Sequence, residues 1–156
     1  MLDGHLPHHA STWRIYSVLF AVSLCLSGCS HPAAPPAIVG AWFVKIPAAP
    51  YPYHLFVFHS DGTVIQSNPD SGDPRQSDSN LMGIWISSSG IITAKLVETA
   101  ADRTTHQFVS RTELAMSVRV QSNTLHGTGT ASVFDAAGNP DGKPHPFTLD
   151  GDRILP

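Results

Sequence analysis

The sequence predicts an all-β domain, an eight-stranded antiparallel up-and-down barrel, behind an N-terminal export segment. Three observations carry this reading. From Ile38 onward no window holds helical periodicity for long, while two-residue alternation of apolar and polar side chains recurs. Turn-forming residues punctuate the alternating runs at Asp61-Gly62, Ser88 to Gly90 and Ser122-Asn123. These short connections alternate with long ones over 47–52, 68–81 and 135–145, rich in Pro, Asp and Gly. In a meander the tight turns then collect at one end and the long loops at the other, which gives a closed barrel one tight end and one open mouth.

The 156 residues allow one domain of ordinary size. Ahead of it, Ile15 to Leu26 is apolar apart from Tyr16, Ser17 and Ser23, too short a run to span a bilayer and suited to a secretory signal. The two cysteines, Cys25 and Cys29, lie at and just beyond its end with three residues between them. They have no second pair for a zinc site and lack the Cys-x-x-Cys redox spacing. The stretch Leu26-Ser27-Gly28-Cys29 resembles the lipobox of bacterial lipoproteins. That resemblance implies cleavage before Cys29, a diacylglycerol on its thiol and acylation of the new amino group. It also implies, from Ser30 rather than Asp after the cysteine, an outer-membrane destination facing the periplasm. Several acyl chains hold a protein on a membrane where one does so only marginally. Residues 1–28 are thus expected as signal peptide, 29–37 as acylated terminus and Pro/Ala linker, and 38–156 as the barrel. Met1 to Trp13 is a long lead containing Asp3, a departure from the family pattern that a misassigned start codon explains.

Eight strands are expected at about 39–46, 53–60, 63–67, 82–87, 91–99, 103–121, 124–134 and 146–154. The longest alternates Phe108, Leu114, Met116, Val118 and Val120 against Arg111, Glu113, Ser117 and Arg119, and its length predicts a bend or bulge near Ser110 to Thr112. Apolar faces must coincide across a pair, because a one-residue slip turns every side chain over. A two-residue turn at Ser122-Asn123 therefore sets Val120 opposite Leu125, Val118 opposite Gly127 and Met116 opposite Gly129. A two-residue turn at Asp61-Gly62 sets Phe58 opposite Ile65.

Gly40-Ala41-Trp42 on the first strand and Arg153 on the last resemble the pattern of lipocalins and related calycin barrels, in which an arginine packs over the tryptophan at the closed end. The run of "GAW", "HSDGTV", "GIW", "GTGTASVFDAAGN" and "GDRI" also resembles small bacterial lipocalin-like proteins. The resemblance implies this fold and leaves activity open, while a barrel of eight strands has the width to hold one small ligand.

On chemistry the sequence is sparse. Nine basic against twelve acidic residues give a net charge of −3, and no basic cluster argues for nucleic acid as partner. No nucleophile elbow, phosphate loop or dinucleotide fingerprint is present, and no cofactor is expected. His54 and His59 fall on opposite strand faces, His126 and His145 read as surface and loop residues, and the loop with Asp70, Asp73 and Asp78 lacks calcium-loop order, so no metal is expected. A connection over Ala101 to Arg103 would set Leu96 opposite Phe108 and Glu98 opposite His106, an inward carboxylate–imidazole pair at the mouth. It serves either as acid–base machinery of an isomerase or cyclase or as a plain rim ion pair. Phe56, Phe58, His106, Phe108, Ser110 and Thr112 are the candidate ligand contacts. The balance favours a membrane-tethered binder of a small, partly apolar molecule, or a structural envelope role, over an enzyme. Oligomeric state is not legible.

Overall fold

A computed structural model describes residues 36–67 and 74–156. The signal peptide, Cys29, most of the linker, Asp70 and Asp73 lie outside the described residues. All described residues belong to the unit Ala33–Pro156.

Nine strands and no helix are found among them: β1 Gly40–Lys45, β2 Tyr53–Phe58, β3 Thr63–Ser67, β4 Gln76–Asp78, β5 Leu81–Ser88, β6 Ile91–Asp102, β7 Phe108–Gln121, β8 Thr124–Asp135 and β9 His145–Arg153. Every pairing is antiparallel, and the circuit β1-β2-β3-β5-β6-β7-β8-β9 returns to β1 through Trp42 opposite Arg153. Eight staves thus close the barrel, as the alternation predicts. The ninth strand, β4, pairs with Ala100 to Asp102 of β6 and continues the line of β5 at the mouth.

Alternation puts His54, Phe56 and Phe58 of β2, Ile92, Ala94 and Leu96 of β6, and Leu114, Met116 and Val118 of β7 inside. The β7–β8 register is the expected one, with Val120 opposite Leu125, Val118 opposite Gly127 and Met116 opposite Gly129. The small inward face of β8 makes room for its neighbours: a Cβ on Gly129 would lie 2.3 Å from the Phe147 ring.

Two expected registers are corrected. Phe58 pairs with Val64, and Ile65 with Val57, because the β2–β3 connection has three residues, Ser60 to Gly62, with Gly62 in the left-handed region at φ +89°. A three-residue hairpin is commonly a type I turn followed by a left-handed residue, the place Gly62 takes here, with Gly62 N–H donating to the His59 carbonyl at 3.2 Å. The slip turns β3 over, so that Val64 and Gln66 point inward. At the β6–β7 connection, β6 runs on to Asp102 and the turn occupies 103–107 instead of 101–103. Asp102 causes this: its Oδ1 accepts from the Thr104 N–H at 2.8 Å and the Thr105 N–H at 2.6 Å, folding the chain into a turn where strand was expected. The β7 bulge lies at Val109, between Ala100 opposite Ser110 and Ala101 opposite Phe108, just before the expected stretch.

The tight end is closed by the residues of the Gly-x-Trp pattern. Trp42 is fully buried and donates Nε1–H to the Ile38 carbonyl at 2.7 Å. The Arg153 guanidinium sits 4.3 Å from its ring centroid and donates to the carbonyls of Val39 and Ala37. Gly40 permits this approach, since a Cβ there would stand 2.7 Å from Arg153 Nη1 and its φ is +134°. Trp85, from the second Gly-x-Trp, lies edge-on to Phe58 at 6.3 Å and donates Nε1–H to the His59 carbonyl. Each such fully buried side chain contributes about 1.5–3 kcal/mol, so the core is concentrated toward the tight end and the middle of the barrel.

Candidate functional site

The interior is filled below and open above. At the long-loop end the staves enclose a cavity of about 450 Å³, within the range of small-molecule sites. Ile46, Leu81, Leu114, Val133 and Phe147 supply its apolar wall, and the connection from Ala48 to Tyr51 lines its rim. The polar lining comes from four directions: His54 on β2, Gln66 on β3, Gln76 and Asp78 on β4, and Glu98, Ser110 and Thr112 on β6 and β7. His145 at the start of β9 completes it.

His54 and Gln66 are 5% and 3% exposed, the two buried polar side chains of the described domain. The Gln66 amide nitrogen lies 3.0 Å from His54 Nδ1. With the amide nitrogen donating, Nδ1 accepts, and the ring proton is then on Nε2. Gln66 Oε1 is buried and has no hydrogen-bond partner among the described residues. Asp78 and Glu98 lie on one wall, Asp78 opposite Ala100 and Glu98 two residues along β6 from it. Among the described residues that line the cavity there is no lysine or arginine. Arg103 donates Nε–H to the Gln76 carbonyl at 2.6 Å, which ties the turn after β6 to β4.

Of the expected ligand contacts, Ser110 and Thr112 line the cavity. Phe56 and Phe58 are buried in the core beneath it, stacked at 6.1 Å, and are not part of the lining. Phe108 is 45% exposed, opposite Ala101. The Glu98–His106 pair is not assembled: Glu98 faces Thr112, Leu96 faces Leu114, and His106 is exposed in the turn at φ +59°. Moving the turn outward displaced the partner of Glu98 by six residues along β7, an even number, so faces were kept while partners changed.

Other titratable groups serve the framework. Hydrogen bonds from Thr105 and then Thr104 hold the Asp102 carboxyl below its ordinary value. Those from Asn139 do the same for Asp135, and those from Arg111 and then Lys95 for Glu113. His126 meets Asp150 at 2.7 Å on the outer surface. Among the described residues no three His, Cys, Asp or Glu side chains come together as metal ligands.

Sequence reasoning missed His54, Gln66, Gln76 and Asp78 as lining residues. Signals for three of them were present. A Gly at the third loop position of "SDG" suits a three-residue hairpin, which turns Gln66 inward, and Gln76-Ser77-Asp78 alternates as a short strand does. No family model, curated protein or solved structure matches the chain.

Proposed function

We propose that this chain is a lipid-anchored protein of the bacterial cell envelope whose calycin-like barrel binds one small, partly apolar molecule at its open end. The observation that carries the binding role is the 450 Å³ cavity itself, apolar over much of its wall and with buried His54 and Gln66 in its lining. A barrel serving only as a scaffold has no need to keep polar side chains buried beside empty space, where each must be compensated. The anchor rests on the lipobox-like Leu26-Ser27-Gly28-Cys29. Within the barrel the described chain enters β1 at the tight end, beside Arg153, and the cavity opens at the opposite end. An isomerase or cyclase reading built on Glu98 and His106 loses its support, because those side chains do not face each other.

A second reading, an interaction role for the outside of the barrel, is favoured by one feature. Phe43, Leu55, Val57, Met82, Ile84 and Ile86 are exposed on the outward faces of β1, β2 and β5, with half-buried Ile65 of β3 between them and Ile84 at 65%. Contiguous apolar surface of this kind marks contact sites.

Native mass spectrometry of the protein purified from its own envelope tests the proposal. The expected spectrum carries the mass of acyl chains on a chain beginning at Cys29, and a bound small molecule that leaves on collisional activation. A chain without acyl groups overturns the anchor. A cavity that retains no molecule and takes up none from an envelope extract overturns the binding role, and a stable protein complex in its place favours the second reading.

A further inference from the structure

Resting on the anchor proposed above, we infer that the barrel lies on the lipid surface by one wall, the outward face of β1, β2, β3 and β5, while the wall of β7, β8 and β9 stays in water. The strand register is the first ground. Ala41 pairs with Val57, Val57 with Ile65, Ile65 with Met82 and Met82 with Val97, all on the outward side. At a strand spacing of about 4.8 Å this is an apolar row roughly 20 Å wide. Leu55, Ile84 and Ile86 widen it on either side, and Met82 and Ile84 are 60% and 65% exposed.

The second ground is charge. Strands β1, β2, β3 and β5 contain no Asp or Glu at all, whereas the outward face of β7, β8 and β9 carries exposed Arg119, His126, Asp150 and Asp152 among serines and threonines. The barrel is thus amphipathic from side to side, and a surface of anionic headgroups over acyl chains accepts only the wall free of carboxylates. The margin of that wall has the matching composition. Exposed Phe43 stacks on exposed Tyr53 at 5.3 Å, and Lys45 Nζ lies 5.8 Å from the Tyr53 ring centroid. Rings with a polar tip, beside a lysine on its apolar stem, suit the boundary between acyl chains and headgroups.

The tether selects lipid over other partners for this wall. Pro36 follows Cys29 by seven residues, a connection no longer than about 25 Å when fully extended. An acylated Cys29 therefore presents lipid to the barrel at the effective concentration of an intramolecular partner.

The test uses the acylated protein in vesicles of phosphatidylethanolamine and phosphatidylglycerol, with a nitroxide on a single introduced cysteine. Ile84→Cys probes the apolar wall and Thr128→Cys, outward on β8, probes the other. The ratio of oxygen to nickel-chelate accessibility is expected to be higher at 84 than at 128, on the order of fivefold for an apolar face seated in the interface. Adding Met82→Glu to Ile84→Cys is expected to bring the ratio down to the value at 128 while the acyl mass and vesicle association stay. Met82 is exposed, so the fold tolerates this change.

Equal ratios at 84 and 128 on an acylated protein overturn the lipid-facing wall and leave the anchor in place. A ratio at 84 that Met82→Glu does not lower, or dipolar broadening at 84 from a second copy, overturns it too. A protein without acyl mass overturns the anchor itself, and this inference falls with it.

Discussion

Replacing Arg153 with leucine removes the lid of the tight end while keeping a side chain of moderate bulk over Trp42. Two losses can be sized from the geometry. The guanidinium lies 4.3 Å from the Trp42 ring centroid and is partly buried, an arrangement worth about 1 kcal/mol. Its Nη1 donates to the part-buried Val39 carbonyl at 2.8 Å, a charged hydrogen bond worth about 1.5 kcal/mol. The bond to the Ala37 carbonyl is exposed and adds little. Leucine returns some apolar cover, on the order of 0.5 kcal/mol, so the net destabilisation is about 2 kcal/mol. For a domain of this size that corresponds to a fall in Tm of roughly 8 °C.

Thermal melts followed by near-ultraviolet circular dichroism check this, because the buried Trp42 should report the transition. Arg153→Lys keeps a cation and loses the planar fork that reaches two carbonyls, so its Tm should fall between the two. A Tm for Arg153→Leu within about 2 °C of wild type, or full recovery in Arg153→Lys, would refute the claim that stacking and forked hydrogen bonding together hold this end.

Two further outcomes follow from the same geometry. In Gly129→Ala the new Cβ would stand 2.3 Å from the Phe147 ring and 2.9 Å from the Ala115 carbonyl. Overpacking of this kind costs about 1–3 kcal/mol, and since Phe147 lines the cavity, the urea midpoint and the uptake of a small apolar fluorescent probe should fall together. On acidification, Asp61, Asp102, Asp135 and Glu113 set the sign. Hydrogen bonds from Thr63, Thr105, Asn139 and Arg111 respectively depress the folded values of these groups below the ordinary 3.8 for Asp and 4.5 for Glu. The folded state then binds fewer protons than the unfolded state in that range, so their contribution is complete above the ordinary values and is lost as pH falls through the depressed ones. Urea midpoints should hold steady down to about pH 5 and decline below it; a midpoint that rises on acidification would contradict the assignment.

How far the sequence could be read depended on how strongly each register was fixed. The β7–β8 pairing was legible because Met116, Val118 and Val120 form one apolar row, and the turn residues Ser122-Asn123 mark a two-residue turn that sets Leu125 and the two inward glycines opposite that row. The β6–β7 pairing was not. Any connection of odd length satisfies the same face rule, so 101–103 and 103–107 were equally consistent, and Asp102 decided between them by capturing two backbone N–H groups that a strand would have left outward. At β2–β3 the sequence marked the turn but left its length open by one residue, and that residue decides whether Ile65 or Gln66 faces the cavity.

The sequence by itself determined the closed barrel, its tight and open ends, and the Gly40, Trp42 and Arg153 cluster. The barrel and its two ends follow from local alternation and turn chemistry, and the cluster was expected from the resemblance of Gly40-Ala41-Trp42 and Arg153 to calycin barrels. Only the tertiary structure decided which polar side chains share the cavity. His54, Gln66, Asp78 and Glu98 come from four strands, and their juxtaposition depends on hairpin registers and on the docking of β4 against Ala100 to Asp102. Period-two patterning says which face a side chain occupies and nothing about its height along the barrel or its partner across it.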